Sequence, residues 1–175
     1  LLRAAERTGG ALPRKRHRVW VTEVSYDSKP PDPDGVPVAR HARFLQEALY
    51  LLWRQGVGTI TWFRIVDSPP VPSYGDSNQS GIYRLGGQVK PAARAFRFPF
   101  VVARRASGGL VAWGRSPVAG LVTIERRRRG RWVAVRRGVS VRRHGTFHVP
   151  IARRPAPDRL RARAGGERSL VWAIG

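Results

Sequence analysis

Carboxylates are scarce in this chain, with 11 Asp and Glu against 33 Lys and Arg in 175 residues, so the few that fall at special positions stand out. One of them, Glu23, lies at the exposed end of VWVTEVSYDS, an apolar run over residues 19–28 that reads as a buried strand. A carboxylate at the carboxyl end of a β-strand is where an α/β enzyme would put its chemistry. Tyr26 and Asp27 follow in the next loop, where a Tyr hydroxyl could hydrogen-bond that carboxylate. A second apolar run, VGTITWF over residues 57–63, ends in Trp62 and Phe63 and is soon followed by Asp67. Each candidate also has a plain structural role open to it. Glu23 could pair with one of the many arginines, Trp62 could be a core aromatic, Tyr26 and Asp27 could cap a turn, and Arg64 and Asp67 could form a surface ion pair worth little.

The elements that would position these residues follow from periodicity. KPPDPDGVP, residues 29–37, holds four prolines and a glycine and continues no regular element. Val38, Ala42, Leu45, Leu49 and Leu52 then recur at three- and four-residue steps, which predicts an amphipathic helix over residues 38–55. Strand, helix, strand is a crossover that calls for parallel pairing. Residues 67–80 form another loop rich in proline, serine and aspartate, and a short helix begins near Pro91. From Phe98 onward the texture changes to period-two alternation, as in Val122 and Ile124, or Leu160, Ala162 and Ala164 with Arg159, Arg161 and Arg163 between them. Turns every ten residues or so suggest about seven strands of an antiparallel sandwich, with Trp132 and Trp172 facing inward. The expected domains are residues 1–97 and residues 98–175.

Composition bounds the functional classes. The chain is 42% hydrophobic, enough for a real core, and has no cysteine, hence no disulfide and no thiolate metal site. No apolar stretch approaches the ~20 residues of a spanning helix. The formal net charge of +22 is uneven: residues 1–98 carry 15 basic and 8 acidic side chains, residues 99–175 carry 18 and 3. Only Lys15, Lys29 and Lys90 are lysines, an arginine bias that reads as a solvated surface more than a phosphate track. His17, His41, His144 and His148 show no ligand spacing and are expected to be solvated, and the run from Arg126 to Arg129 reads as a charged hairpin tip. No GxSxG, Walker loop or paired-histidine helix is present, which removes support for acyl and phosphoryl transfer.

VWVTEVSYDS, TITWFRIVD and QSGIYRLGGQVKPAARAF together resemble the last two strand–helix units of a clan A glycoside hydrolase, over roughly residues 17–97. The features in register are a Thr-Glu ending one strand, a Trp ending the next, and a Gly-aromatic turn leading to Lys90, Pro91 and Ala92. The resemblance implies an α/β plus all-β chain: a partial (β/α)8 TIM barrel followed by an antiparallel sandwich that looks like a bacterial immunoglobulin-type accessory domain. It also implies that Glu23 is the catalytic nucleophile and that Trp62 floors the innermost sugar subsite, with Tyr26 and Asp67 as further substrate contacts. Retaining glycosidases need two carboxyl groups about 5–5.5 Å apart, one attacking the anomeric carbon and one protonating the leaving oxygen. In the clan the acid/base glutamate follows a much earlier strand, so the pair is expected to be incomplete in these 175 residues and the isolated chain inactive.

The leading expectation is therefore part of a secreted or surface-attached glycoside hydrolase acting on a polysaccharide or glycoside, with no metal or organic cofactor and no specific nucleic-acid partner. One alternative is a relative that binds carbohydrate without cleaving it. A third is a basic sandwich that binds nucleic acid or another anionic polymer, disfavoured because base stacking calls for exposed aromatics between the basic residues.

Overall fold

The computed structural model describes residues 2–106, 108–152 and 158–174. A short helix α1 (Leu2–Thr8) precedes β1 (Trp20–Val24), a two-residue pair β2 (Ser28–Lys29) and β3 (Val36–Pro37), and α2 (Val38–Arg54). β4 (Thr59–Trp62) and α3 (Pro91–Arg97) follow, separated by a long loop. Then come eight strands: β5 (Phe100–Arg104), β6 (Leu110–Arg115), β7 (Gly120–Arg128), β8 (Arg131–Val141), β9 (Thr146–Ile151), β10 (Asp158–Ala164), β11 (Glu167–Arg168) and β12 (Trp172–Ile174).

α2 forms where its pattern demands. Ala42, Leu45 and Tyr50 are buried on one face while Ala39, Arg40 and Arg54 face solvent, and Pro37 occupies the N-cap, where a missing N–H costs nothing. β1 and β4 pair in parallel, and Val24, Trp62, Ala42, Leu45, Ile82, Ala92 and Ala95 make a small core between this ladder and the helices α2 and α3. The other face of the ladder is bare: Trp20, Thr22, Thr59 and Thr61 are exposed.

The partial (β/α)8 barrel expected for residues 1–97 is not what forms. The parallel ladder has only two strands, and barrel closure needs each edge to find a neighbour, which no other described strand supplies. Among the described residues most of the regular structure is antiparallel sheet in small pieces, with three short helices. The immunoglobulin-like assignment is likewise unsupported. The C-terminal strands divide into a three-stranded sheet ordered β5-β6-β9 and a five-stranded sheet ordered β11-β10-β7-β8, with β12 beside β10.

These two sheets share one apolar core. Phe100, Ala112, Trp113 and Phe147 come from the first, and Val122, Ile124, Leu160, Ala162 and Trp172 from the second. Tyr50 of α2 is buried in that same core, with Trp53 packed against it, its ring 5.7 Å from that of Trp113. Two polar contacts reinforce the crossing from α2. Gln46 Oε1 accepts the Phe100 N–H at 3.0 Å, and Arg43 donates to the Ala173 carbonyl at 3.0 Å while lying 3.8 Å over the Trp172 ring.

Three details differ from the alternation read in the sequence. Trp172 is buried, but Trp132 belongs to neither core; it sits on the outer face of the five-stranded sheet, with the Arg161 guanidinium 4.1 Å above its ring. Arg126 is not part of a charged tip: it is 3% exposed and pairs with Asp158 at 2.9 Å, so the turn itself is Arg129 and Gly130, both at positive φ. His41 is fully buried, because it lies four residues before Leu45 on the apolar stripe of α2.

Candidate functional site

Glu23 owes its exposure to an irregularity in the ladder. Val21 is opposite Ile60 and Val24 is opposite Trp62, so three steps on β1 match two on β4 and an extra residue bulges out at Thr22–Glu23. A bulge re-aims side chains that strict alternation would send elsewhere, and both bulged residues are exposed. The Glu23 carboxylate makes no hydrogen bond or ion pair with any described residue. Of the other ten acidic residues, all but Asp34 have the carboxylate engaged, most often by an arginine, a serine or a backbone N–H.

Tyr26 follows at the rim, 42% exposed, with its ring 5.0 Å from Phe44 and 6.3 Å from Trp62. Asp27 lies one residue deeper. Its carboxylate accepts the Gln79 N–H at 2.8 Å, and burial pushes its pKa above the ordinary carboxylate value, helped by Asp32 and Asp67 and opposed by the Gln79 N–H.

Trp62 and Asp67 sit behind this rim. Trp62 is 5% exposed, donates its indole N–H to the Ser80 carbonyl at 3.0 Å, and packs 5.7 Å from the His41 ring. A sugar cannot lie on a ring so covered, and the floor expected at Trp62 is not open to solvent. Asp67 is 2% exposed and accepts from Lys90 Nζ at 2.6 Å and from the Gly81 N–H at 2.9 Å. Arg64, offered in the sequence as its surface partner, hydrogen-bonds Ser68 instead.

Lys90 is the residue the sequence reading missed. Its ammonium is fully buried and donates to Asp67 Oδ1, Ser28 Oγ at 2.8 Å and the Gln79 carbonyl at 2.9 Å, which uses all three of its protons. Burial lowers its pKa, and the hydrogen bond and charge of Asp67 pull the other way. One cation thus ties the loop after β1 to the loop after β4 and to the entry of α3. The signal was present as a lone lysine before Pro91 in an arginine-dominated chain, yet nothing in the spacing revealed which carboxylate it would meet.

His41 lies against this network. Neither ring nitrogen has a hydrogen-bond partner of good geometry among the described residues. Burial and the nearby Lys90 charge hold its pKa down at about 4, although the backbone at Ser80 and Tyr26 lies close enough to favour the cation somewhat. It is a neutral core ring with no route to solvent. Among the described residues, no group of three His, Cys, Asp or Glu could hold a metal ion, and no helix is long and apolar enough to cross a membrane.

No protein-family model matches the chain, and no curated protein matches it. Among solved structures, an FMN-binding beta-glucuronidase from Facaelibacterium prausnitzii L2-6 aligns with 89% of this chain at 13% sequence identity and a TM-score of 0.40. The chain spans about a quarter of that protein, 26% of its length. That glycoside hydrolase is a distant structural neighbour.

Proposed function

We propose that Glu23 is the nucleophilic carboxylate of a glycoside-cleaving site, with Tyr26 at its rim as a hydrogen-bond donor and the partner carboxyl group supplied from outside these 175 residues. The observation that carries this reading is the freedom of Glu23. In a chain with three times as many basic as acidic residues, a strand-end carboxylate held out by a bulge with no cation upon it is kept available for something else. Attack on an anomeric carbon needs an ionised carboxylate whose oxygen is free to reach the reacting atom, set on a rigid element rather than a loop.

Trp62 and Asp67 enter the proposal as positioning residues. Trp62 closes the small core directly under the β1–β4 ladder, and Asp67 with Lys90 fixes the two loops that flank the bulge. An extracellular or cell-surface setting is part of the same proposal, since polysaccharides are met there.

The test is covalent capture. A 2-deoxy-2-fluoro glycoside with an activated leaving group needs no acid catalyst to form the glycosyl-enzyme ester. Incubated with the natural full-length protein, it should leave a glycosyl ester on the peptide containing Glu23, and Glu23→Gln should abolish the label. An ester on a different carboxylate, or turnover of aryl glycosides by the isolated 175-residue chain, would contradict the assignment.

A further inference from the structure

We infer that the outer face of the five-stranded sheet is a docking surface for an anionic polysaccharide, independently of any role of Glu23. Alternation fixes what that face displays. Val122, Ile124, Leu160, Ala162 and Ala164 point into the core, so their neighbours Glu125 and Arg127 on β7 and Arg159, Arg161 and Arg163 on β10 point out. Trp132 is opposite Arg127 on β8 and shares its side of the sheet. Four arginines thus face one carboxylate.

The face is also organised. Glu125 bridges two of the arginines, taking Arg161 Nε at 2.7 Å on one oxygen and Arg163 Nε at 3.3 Å on the other. Because the contact is through Nε, the outer N–H groups of both guanidinium forks remain for an acceptor arriving from solvent. The Arg161 guanidinium lies 4.1 Å over the Trp132 ring, a cation–π contact that restrains the side chain instead of leaving it to wander. Arg127 and Arg159 make no hydrogen bond or ion pair with any described residue. Arg159 and Arg163 are separated by roughly 13 Å along the strand, too far for one small anion to reach both, so a chain of repeated charges is the ligand that uses them together.

The bridge at Glu125 shows that carboxylates suit these guanidinium groups, and the weakly hydrated Trp132–Arg161 pair offers one flat shelf for the C–H face of a pyranose. Single-stranded nucleic acid is the poorer fit, because it draws affinity from successive aromatic platforms and this face has one.

The experiment is calorimetric titration of the chain with polygalacturonate, with neutral dextran and with oligo(dT) across a range of salt. Polygalacturonate should bind with an affinity that falls as salt rises, and dextran should show no binding. Arg159→Gln with Arg163→Gln should weaken binding about tenfold and flatten the salt slope by roughly 1.5, as expected for two lost charge contacts. Trp132→Ala should weaken it several-fold with the slope unchanged. These side chains face solvent, and circular dichroism with the thermal midpoint checks folding; Arg127→Gln with Arg159→Gln is the second pair, which spares the Glu125 bridge and should also bind more weakly. Equal binding of dextran, oligo(dT) binding as tightly as polygalacturonate, or two folded double variants that bind like the parent would each overturn the inference.

Discussion

The buried imidazole of His41 makes the stability of this protein acid-sensitive in a specific window. In the unfolded chain the ring takes a proton near pH 6.5, whereas in the fold it does so only near 4. Between those values the unfolded state binds the extra proton, so stability is full above the higher value and is lost as pH falls toward the lower one. The shift corresponds to about 3 kcal/mol in all, of which about 2.5 kcal/mol is lost on going from pH 7 to pH 4.5. Against a domain stability of about 5–15 kcal/mol that is a large share. His144 and His148 are also held below their ordinary value by desolvation and neighbouring arginines, so the parent's slope is a sum, and the comparison with a variant isolates His41. His41→Leu keeps the volume close, discards two unpartnered ring nitrogens, and should stay within about 1.5 kcal/mol of the parent at pH 7. Urea unfolding at several pH values should then show the variant losing about 2.5 kcal/mol less than the parent by pH 4.5. If both proteins weaken in parallel, or if the NMR signal absent from His41→Leu titrates near pH 6.5 in the parent, the burial argument fails.

Other perturbations probe the loops and the bulge. Lys90→Met strands a buried carboxylate and should cost about 3–5 kcal/mol by urea unfolding, with Lys90→Met/Asp67→Asn recovering part of the loss; additive losses would mean that the two groups do not interact. Gly81→Ala should prevent native folding by circular dichroism, because the new Cβ would come within 2.4 Å of the Asp67 nitrogen and 2.6 Å of the Tyr83 oxygen, both backbone atoms. Glu23→Gln should leave stability within about 0.5 kcal/mol, since nothing described pairs with that carboxylate; a larger loss would expose a structural role. Glu6 is held down at about 2 by the His17 N–H first and by Arg3 next, so the contact that joins α1 to His17 should persist to lower pH than an ordinary carboxylate allows and be lost as pH falls from 4.5 through 2, read as amide-exchange protection of His17; loss centred at 4.5 would refute it.

Local structure was legible in the sequence wherever one periodicity ran without competition. The stripe from Val38 to Leu52 specified α2 closely, and the alternation around Ile124 and Ala162 specified strands. The barrel failed because a parallel crossover fixes only its own two strands, and nothing in β1 or β4 encodes a third partner for their free edges. Trp132 faces outward despite its aromatic type, because its position opposite Arg127 puts it on the arginine side, where a cation replaces the core as its neighbour. The site was legible in part. Glu23 could be picked out by scarcity and position, but the bulge that exposes it depends on the pairing offset with β4, a property of two segments that neither reveals alone. The partnership of Asp67 with Lys90 spans 23 residues of loop and turn, where no periodicity operates.

The placement of α2 ties the molecule together thermodynamically. One end of this helix supplies Ala42 and Leu45 to the ladder's core, and the other drives Tyr50 among the rings of the two sheets. Melting the helix would therefore open both interiors at once, so neither half has a private route to disorder. A single calorimetric peak, with matching heats from the scan and from its temperature dependence, is the signature of that arrangement.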